Sequence, residues 1–280
     1  MAEVYISAGS LVFFSPRFNG QQKQDMLYSS LLAQLAASAE YNRLNETDKW
    51  YNFFNETMAN IAWVTQSFEF HKYESRSEFL TISKVTQELL GGLPENEKEL
   101  MTTVKETFDC LVKTPSTDVF TQLFCTNSIS KHGGNFQIFV CDVDKTNQIN
   151  VAGFYIYFHA NEERENQFLI SQRKQDIAIY YSTTILTLNE RLYADIRDEV
   201  KDKLGERATT LVHKVPVVWS SLLFSTFILL LVAIAGTSSP TDWICMTLIF
   251  FEPGFLEPEN LMSNYNTNAL KEEIHVTDYN

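Results

Sequence analysis

The sequence is poor in the residues and spacings that announce a chemistry. Cysteine occurs four times, at Cys110, Cys125, Cys141 and Cys245. No two of them stand in C-x-x-C spacing, which excludes a zinc ribbon and a dithiol redox motif. Four cysteines in 280 residues are too few for a disulfide framework, so reduced thiols in a core are the plain reading. The five histidines, His71, His132, His159, His213 and His275, include no H-x-x-x-H pair. No G-x-x-x-x-G-K-[ST], G-x-G-x-x-G or G-x-S-x-G stretch occurs, so nothing points to a nucleotide loop or a serine-hydrolase elbow, and no cofactor is implied. Basic residues are outnumbered, 22 Lys+Arg against 35 Asp+Glu, for a net charge of −13. That balance excludes general nucleic-acid binding, which needs a basic face to neutralise phosphates. The opening Met1-Ala2-Glu3-Val4-Tyr5 has an early acid and no basic n-region, so it does not read as a secretory leader.

What the sequence does have is apolar side chain, 45% of residues against 20% charged, the profile of a folded chain. It also has one long uncharged run: Val215 to Thr241 contains no ionisable side chain, and its densest part is 215–236. Twenty-two helical residues at about 1.5 Å each extend about 33 Å, the thickness of a hydrocarbon core. The spacing predicts a transmembrane helix over 215–236 with Val215, Trp219, Leu223, Phe227, Leu230, Ile234 and Gly236 along it, and a lipid bilayer as partner. Lys201, Lys203, Arg207 and Lys214 precede the run, and Asp242, Glu252, Glu257 and Glu259 follow it. The positive-inside rule then puts residues 1–214 in the cytoplasm at a membrane. Without the tail, or with it packed inside, the protein is expected to be simply cytoplasmic. Residues 237–280 are acidic and Asn-rich and read as disordered.

The rest reads as one α+β domain, 1–214. Leu27, Leu31 and Leu35 recur along a helix at 22–41. Thr47 reads as the cap of a second helix striped with Trp50, Phe53, Phe54, Met58, Ile61 and Ala62. Residues 63–73 look extended. A third helix from Ser77 carries Phe79, Ile82, Val85 and Leu89, a fourth covers 95–113, and a short fifth covers 116–125. The period then changes to two. Residues 135–141, 149–159, 167–172 and 177–188 read as strands of an antiparallel meander. In the second, Ile149, Val151, Tyr155 and Tyr157 share one face, and Phe154, Ile156 and Phe158 the other, the mark of a central strand. Asn189 caps a closing helix with Leu192, Ile196, Val200 and Leu204 on its buried side, and Gly205 stops it. The predicted order is N-terminal helices, antiparallel meander, closing helix, then the apolar C-terminal helix.

The segments Trp50-Tyr51, Ile61-Ala62-Trp63-Val64, Phe68-Glu69-Phe70, Asn135-Phe136-Gln137-Ile138, Thr187-Leu188-Asn189-Glu190 and Lys203-Leu204-Gly205 together resemble an uncharacterised α+β family of fungi and bacteria, over about residues 32–212. The resemblance implies a fold and no catalytic residues. Members of that family end near the last helix, so the chain departs from the pattern after Lys214. The tail is then either an anchor or a gene-model extension.

The remaining signals are weak. Cys125 and His132 bracket CTNSISKH, and His132-Gly133-Gly134 reads most simply as the turn before a strand. The stretch from Asp142 to Asn147 has a faint calcium-loop look, but the twelfth position is Gly153, which cannot chelate. Asn45 and Asn55 head N-x-T sequons, relevant only in a lumenal protein. The aromatic set Trp50, Phe54, Trp63, Phe68 and Phe70 is either core or the lining of a groove for a protein or small-molecule partner. The leading expectation is a non-enzymatic interaction module tethered by one membrane span. The alternatives are a membrane-active, toxin-like protein, suggested by Tyr/Thr-rich strand hairpins beside helices, and an enzyme built from scattered residues such as Cys125 with His132 or His159.

Overall fold

Residues buried on two faces at once dictate the architecture. The computed structural model describes residues 2–66, 68–91, 98–113, 118–143, 148–162 and 171–215. The chain divides into two units, Met1–Phe224 and Ser225–Asn280, and every described residue belongs to the first. In chain order, β1 (Glu3–Ser7) and β2 (Ser10–Phe14) precede α1 (Gly20–Glu40) and α2 (Thr47–Asn60). Three short strands follow, β3 (Trp63–Thr65), β4 (His71–Lys72) and β5 (Phe79–Leu80), then the helices α3 (Ile82–Leu90), α4 (Lys98–Lys113) and α5 (Val119–Ser128). Next come β6 (Ile129–Ser130), β7 (Gly133–Val143), β8 (Ile149–Ala160), β9 (Gln172–Arg173) and β10 (Ile177–Leu188). The described chain ends in α6 (Glu190–Leu204), α7 (Arg207–Thr210) and β11 (Val212–Lys214).

The main sheet runs β11-β1-β2-β7-β8-β10-β3, with β4 also on β10 and β6 on β7; β5 and β9 pair separately. All its pairings are antiparallel except β2 with β7, which is parallel. The fold is therefore α+β, as the sequence indicates, but its sheet is mixed. The expected meander is real for β7–β8–β10, and β1, β2 and β11 are added to it. The hairpin β1–β2 escapes a period-two search because all of Ser10–Phe14 is buried, and a strand covered on both faces shows no polar alternation.

Helices cover both faces. Met26, Leu31 and Ala37 of α1, Trp50, Phe54 and Met58 of α2, and Tyr193, Val200 and Leu204 of α6 pack on the face bearing Val12, Phe139, Val151, Tyr155 and Leu186. Ile82 and Val85 of α3, Val104, Phe108 and Leu111 of α4, and Phe124 of α5 pack on the other, against Leu11, Phe13, Phe136, Ile138, Phe154, Ile156 and Phe158. The division of β8 between its two faces is the one its sequence predicts.

The caps refine the predicted boundaries. Helix α1 begins earlier than expected, with a capping box in which Asn19 Oδ1 accepts from the Gln22 N–H and the Gln22 side chain accepts from the Asn19 N–H. Thr47 is not a cap. It is the first helical residue, and its hydroxyl donates to the Arg43 and Leu44 carbonyls. Helix α3 starts at Ile82, capped by Thr81, because Phe79 and Leu80 extend to pair with β9. Asn189 does cap α6, and Gly205 ends it at φ 52°. Leu192 is exposed, however, and Tyr193 takes the buried position assigned to it. The strand predicted over 167–172 is described only at Gln172, in β9.

Among the described residues no helix is long and apolar enough to cross a membrane. Val215, first of the uncharged run, is buried and donates its N–H to the Val4 carbonyl. Trp219, Leu223, Phe227, Leu230, Ile234 and Gly236 lie outside the described residues, as does the tail 237–280.

Helices α1 and α6 are joined through a carboxylate that burial would otherwise penalise. Asp25 is 3% exposed and takes two hydrogen bonds from Arg197, Nε at 2.8 Å and Nη2 at 2.9 Å. The Tyr193 hydroxyl accepts from Ser29 and donates to the Asp25 carbonyl. Replacing Arg197 with Met leaves the buried carboxylate without its charge partner, with the Gln21 amide still donating to it at 2.9 Å. Urea unfolding of Arg197→Met is expected to show a loss of about 3 kcal/mol; a loss within about 0.5 kcal/mol, the range of ordinary surface changes, contradicts the pairing.

Candidate functional site

Strands β7, β8 and β10 are 11, 12 and 12 residues long and pair in continuous antiparallel register, Gly133–Val143 on Ile149–His159 and Asn150–Ala160 on Ile177–Thr187. At about 3.3 Å per residue they reach about 36–40 Å. Their two faces differ. The face under α3, α4 and α5 is apolar throughout its centre: Phe136, Ile138 and Val140, then Phe154, Ile156 and Phe158, then Ile177 and Ile179. The face under α1, α2 and α6 is mixed. It carries Asn135 and Gln137 on β7, Tyr155 and Tyr157 on β8, and Ser182 and Thr184 on β10, among Phe139, Val151 and Leu186.

The mixed face holds the aromatic set singled out in the sequence. Trp50, Phe54 and Trp63 are closed in the core, with Trp50 and Phe54 stacked at 5.6 Å. Phe68 and Phe70 are half-buried at its rim, meeting Tyr155 at 5.0 Å and Tyr157 at 4.8 Å. Tyr51, absent from the predicted set, joins both rims: it contacts Phe68, Phe70 and Tyr155 at 5.9, 4.9 and 5.4 Å. Tyr155 is fully buried, and burial, then Tyr51, pushes its phenol well above the usual range.

Polar groups of this face and its cover have no partner within the protein. Among the described residues, nine buried side-chain nitrogen and oxygen atoms have no hydrogen-bond partner within the protein. Seven of them belong to Asn55, Trp63, Thr65, Tyr155, Ser182 and Thr184. The register sets Tyr155 opposite Ser182 and Gly153 opposite Thr184. The Tyr155 hydroxyl leans over Gly153, 3.3 Å from where a Cβ would stand. A buried polar group needs a protein partner or a water, and losing both costs about 1–3 kcal/mol.

Beside this seam stands a network that is well satisfied. Arg43, between α1 and α2, turns its guanidinium inward over Trp50, at 4.5 Å from the ring centroid. Its Nε donates to the Asn135 carbonyl at 3.1 Å and its Nη1 to Gln34 Oε1 at 3.1 Å. Nη2 donates to Gln137 Oε1 at 2.9 Å and to the Gly9 carbonyl at 3.4 Å. Gln137 also accepts from Ser10 and donates to Tyr51 and Asn135, and Asn135 donates to the Arg43 carbonyl. Gln34 accepts from the Gly9 N–H and donates to the Ser7 carbonyl. Desolvation lowers the Arg43 pKa to about 10, because among the described residues none of its hydrogen-bond partners is a carboxylate. Sequence reasoning missed this hub. Its one visible trace is Asn-x-Gln on a single face of an otherwise apolar strand.

At the opposite edge, a groove of about 580 Å³ is lined by Glu3, Tyr5, Lys23, Tyr28, Thr209 and Lys214 among others. Glu3 accepts from Tyr5 at 3.1 Å and pairs with Lys23 at 3.1 Å and Lys214 at 3.3 Å. Burial pushes its carboxyl up, but the two ammoniums and the phenol outweigh that and hold it below the usual range.

The other sequence candidates are scattered. Burial pushes the half-buried Cys125 thiol up to about 11, which disfavours a thiolate. His132 and His159 are exposed at the β7–β8 end, where the Ala160 N–H donates to the His132 carbonyl. Gly133 and Gly134 are needed there, since a Cβ on Gly133 would stand 2.2 Å from the Phe158 carbonyl oxygen. Asp142 pairs with Arg17; residues 144–147 of the calcium-like stretch lie outside the described residues. Among the described residues no group of three His, Cys, Asp or Glu could hold a metal ion. Asn45 is exposed, whereas both amide atoms of Asn55 are buried.

No family model matches the chain, and no curated protein matches it. Solved structures are similar in part. The activated Cyt2Ba monomer from Bacillus thuringiensis subsp. israelensis is 10% identical over 65% of this chain and 97% of its own, with a TM-score of 0.39. A delta-endotoxin is 14% identical over 65% and 81%, with a TM-score of 0.37. The Evf virulence factor is 10% identical over 74% and 82%, with a TM-score of 0.34.

Two stability measurements check the site. Arg43→Met leaves several buried acceptors without a donor and is expected to cost about 3 kcal/mol in urea unfolding. A cost under about 1 kcal/mol contradicts the hub. Glu3 titrates below its unfolded value, so its contribution is present at neutral pH and is lost as pH falls through the depressed pKa. Wild type is expected to exceed Glu3→Gln by less than about 1 kcal/mol at pH 7, as for partly exposed pairs, and the gap is expected to close on acidification. A gap that widens below pH 4 contradicts the assignment.

Proposed function

We propose that the protein acts on lipid membranes through the block β7–β8–β10. One observation carries this reading: three adjacent long strands present one apolar face and one mixed face, each sheathed by amphipathic helices. A strand tilted across a bilayer needs about 9–11 residues, and these have 11 or 12. Membrane strands alternate apolar side chains toward lipid with more polar ones toward a lumen. Phe136, Ile138, Phe154, Ile156 and Phe158 supply the first set, and Asn135, Gln137, Tyr155, Ser182 and Thr184 the second. The ladder supplies the internal backbone pairing that lipid demands. A reaction at a bilayer then consists of uncovering this block, with no covalent step.

The test is release of a trapped dye from phosphatidylcholine vesicles, with and without phosphatidylserine, by the full chain at micromolar concentration. Release is expected, and vesicles that stay intact in both compositions contradict the proposal.

A second reading rests on the uncharged run at 215–236: a module tethered to the membrane by one span, with residues 1–214 on the cytoplasmic side. The two readings separate on a chain ending at Pro216. If the strands act, the shortened chain still releases dye. If the run is only a tether, the full chain alone resists carbonate extraction and neither version releases dye.

A further inference from the structure

The chain on either side of Ser67 crosses the open edge of β10 as a strap. Its described parts are residues 61–66 and 68–73. Three residues of β3 pair with Leu186–Leu188, and two of β4 with Tyr180 and Tyr181. The Gln66 N–H donates to the Ile185 carbonyl and the Tyr73 N–H to that of Ile179. Phe68 and Phe70 press the strap onto Tyr51, Tyr155 and Tyr157.

Polar atoms without a protein partner lie on the strap, on α2 and on the sheet face that α2 covers. The strap brings Trp63 Nε1 and Thr65 Oγ1, α2 brings the Asn55 amide, and the sheet brings the Tyr155, Ser182 and Thr184 hydroxyls. Trp63, Tyr155, Ser182 and Thr184 are each more than nine-tenths buried. The strap also leaves α2 through Ala62 at φ 68°, a left-handed conformation that costs a residue with a Cβ. Helix α2 itself stays with α1, fixed by Arg43 and by the Trp50 indole N–H donating to Ser38.

We infer that the strap opens from the β10 edge as a unit while α1 and α2 remain in place. The driving term is solvation: closed, these buried hydroxyl, amide and indole groups have no partner within the protein, and opening gives them bulk water. Local openings of this kind lie below global unfolding in free energy. Opening bares the backbone edge of β10, the last of the three long strands. The inference concerns the protein in solution and does not depend on membrane action.

Hydrogen exchange of the full chain, without lipid, tests it. Amides of residues 63–65 and 71–72 are expected to exchange at least tenfold faster than those of β7 and β8. Edge position alone can speed exchange, so the deciding measurement is a pair of single variants, Ser182→Ala and Thr184→Val. Each removes a hydroxyl that gains solvation only on opening. Each is expected to slow strap exchange at least threefold and leave α1 and β1 unchanged, while Thr184→Ser stays at the wild-type rate. Unchanged or faster strap exchange in both apolar variants overturns the inference. So does strap exchange in wild type as slow as that of β7.

Discussion

A central strand buried on both faces has no side that water can wet, and everything else in this fold answers that constraint. Strand β8 puts Phe154, Ile156 and Phe158 on one side and Val151, Tyr155 and Tyr157 on the other. Both sides must therefore be covered, and the helices divide accordingly: α3, α4 and α5 over the first, α1, α2 and α6 over the second. Covering a strand in this way is favourable by about 25 cal/mol for each Å² of apolar surface removed from water. The same burial makes any polar group in the layer expensive unless it is paired.

The two covers meet that expense differently. On the apolar side few polar groups arise. On the mixed side, the Arg43 hub pairs nearly every polar atom it gathers, from Gly9, Gln34, Asn135 and Gln137. A charge without a carboxylate partner is held there by carbonyl and amide oxygens and by the Trp50 ring. Close approach is part of the fit, since a Cβ on Gly9 would stand 2.6 Å from Arg43 Nη2. Along the same layer, hydroxyls of Tyr155, Ser182 and Thr184 have no partner within the protein. One cover is thus pinned at its base and loose at its edge, and the loose part lies on the outermost long strand. That asymmetry links the packing to the proposed action, because a block that must be uncovered needs a place where uncovering begins.

Much of this was legible in the sequence where one residue's environment follows from its neighbours. The leucine spacing of α1, the two faces of β8, the Asn189 cap and the Gly205 stop each depend on local periodicity or local hydrogen bonding. The hairpin β1–β2 was not legible, because Ser10–Phe14 is buried throughout and lacks the alternation that marks a strand. The parallel contact of β2 with β7 joins residues more than a hundred positions apart and leaves no local trace. The hub was hidden for the same reason: its donors and acceptors come from the β1–β2 hairpin, α1, the α1–α2 link, α2 and β7. The aromatic set was visible as a cluster, but which rings close the core and which form the rim depends on how α2 and the strap meet the sheet. Ser182 and Thr184 read as ordinary strand residues until their depth is known.

Entry of β7–β8–β10 into lipid, as proposed, would put its two faces in different surroundings. The direct measurement places a single environment-sensitive fluorophore, in a background free of other cysteines, at each position from Phe154 to Phe158 in turn, with lipids that carry a quencher in their acyl chains. Period-two quenching is expected in the vesicle-bound protein, strong at positions 154, 156 and 158 and weak at 155 and 157. Uniform quenching, or none at any of the five positions, would contradict it.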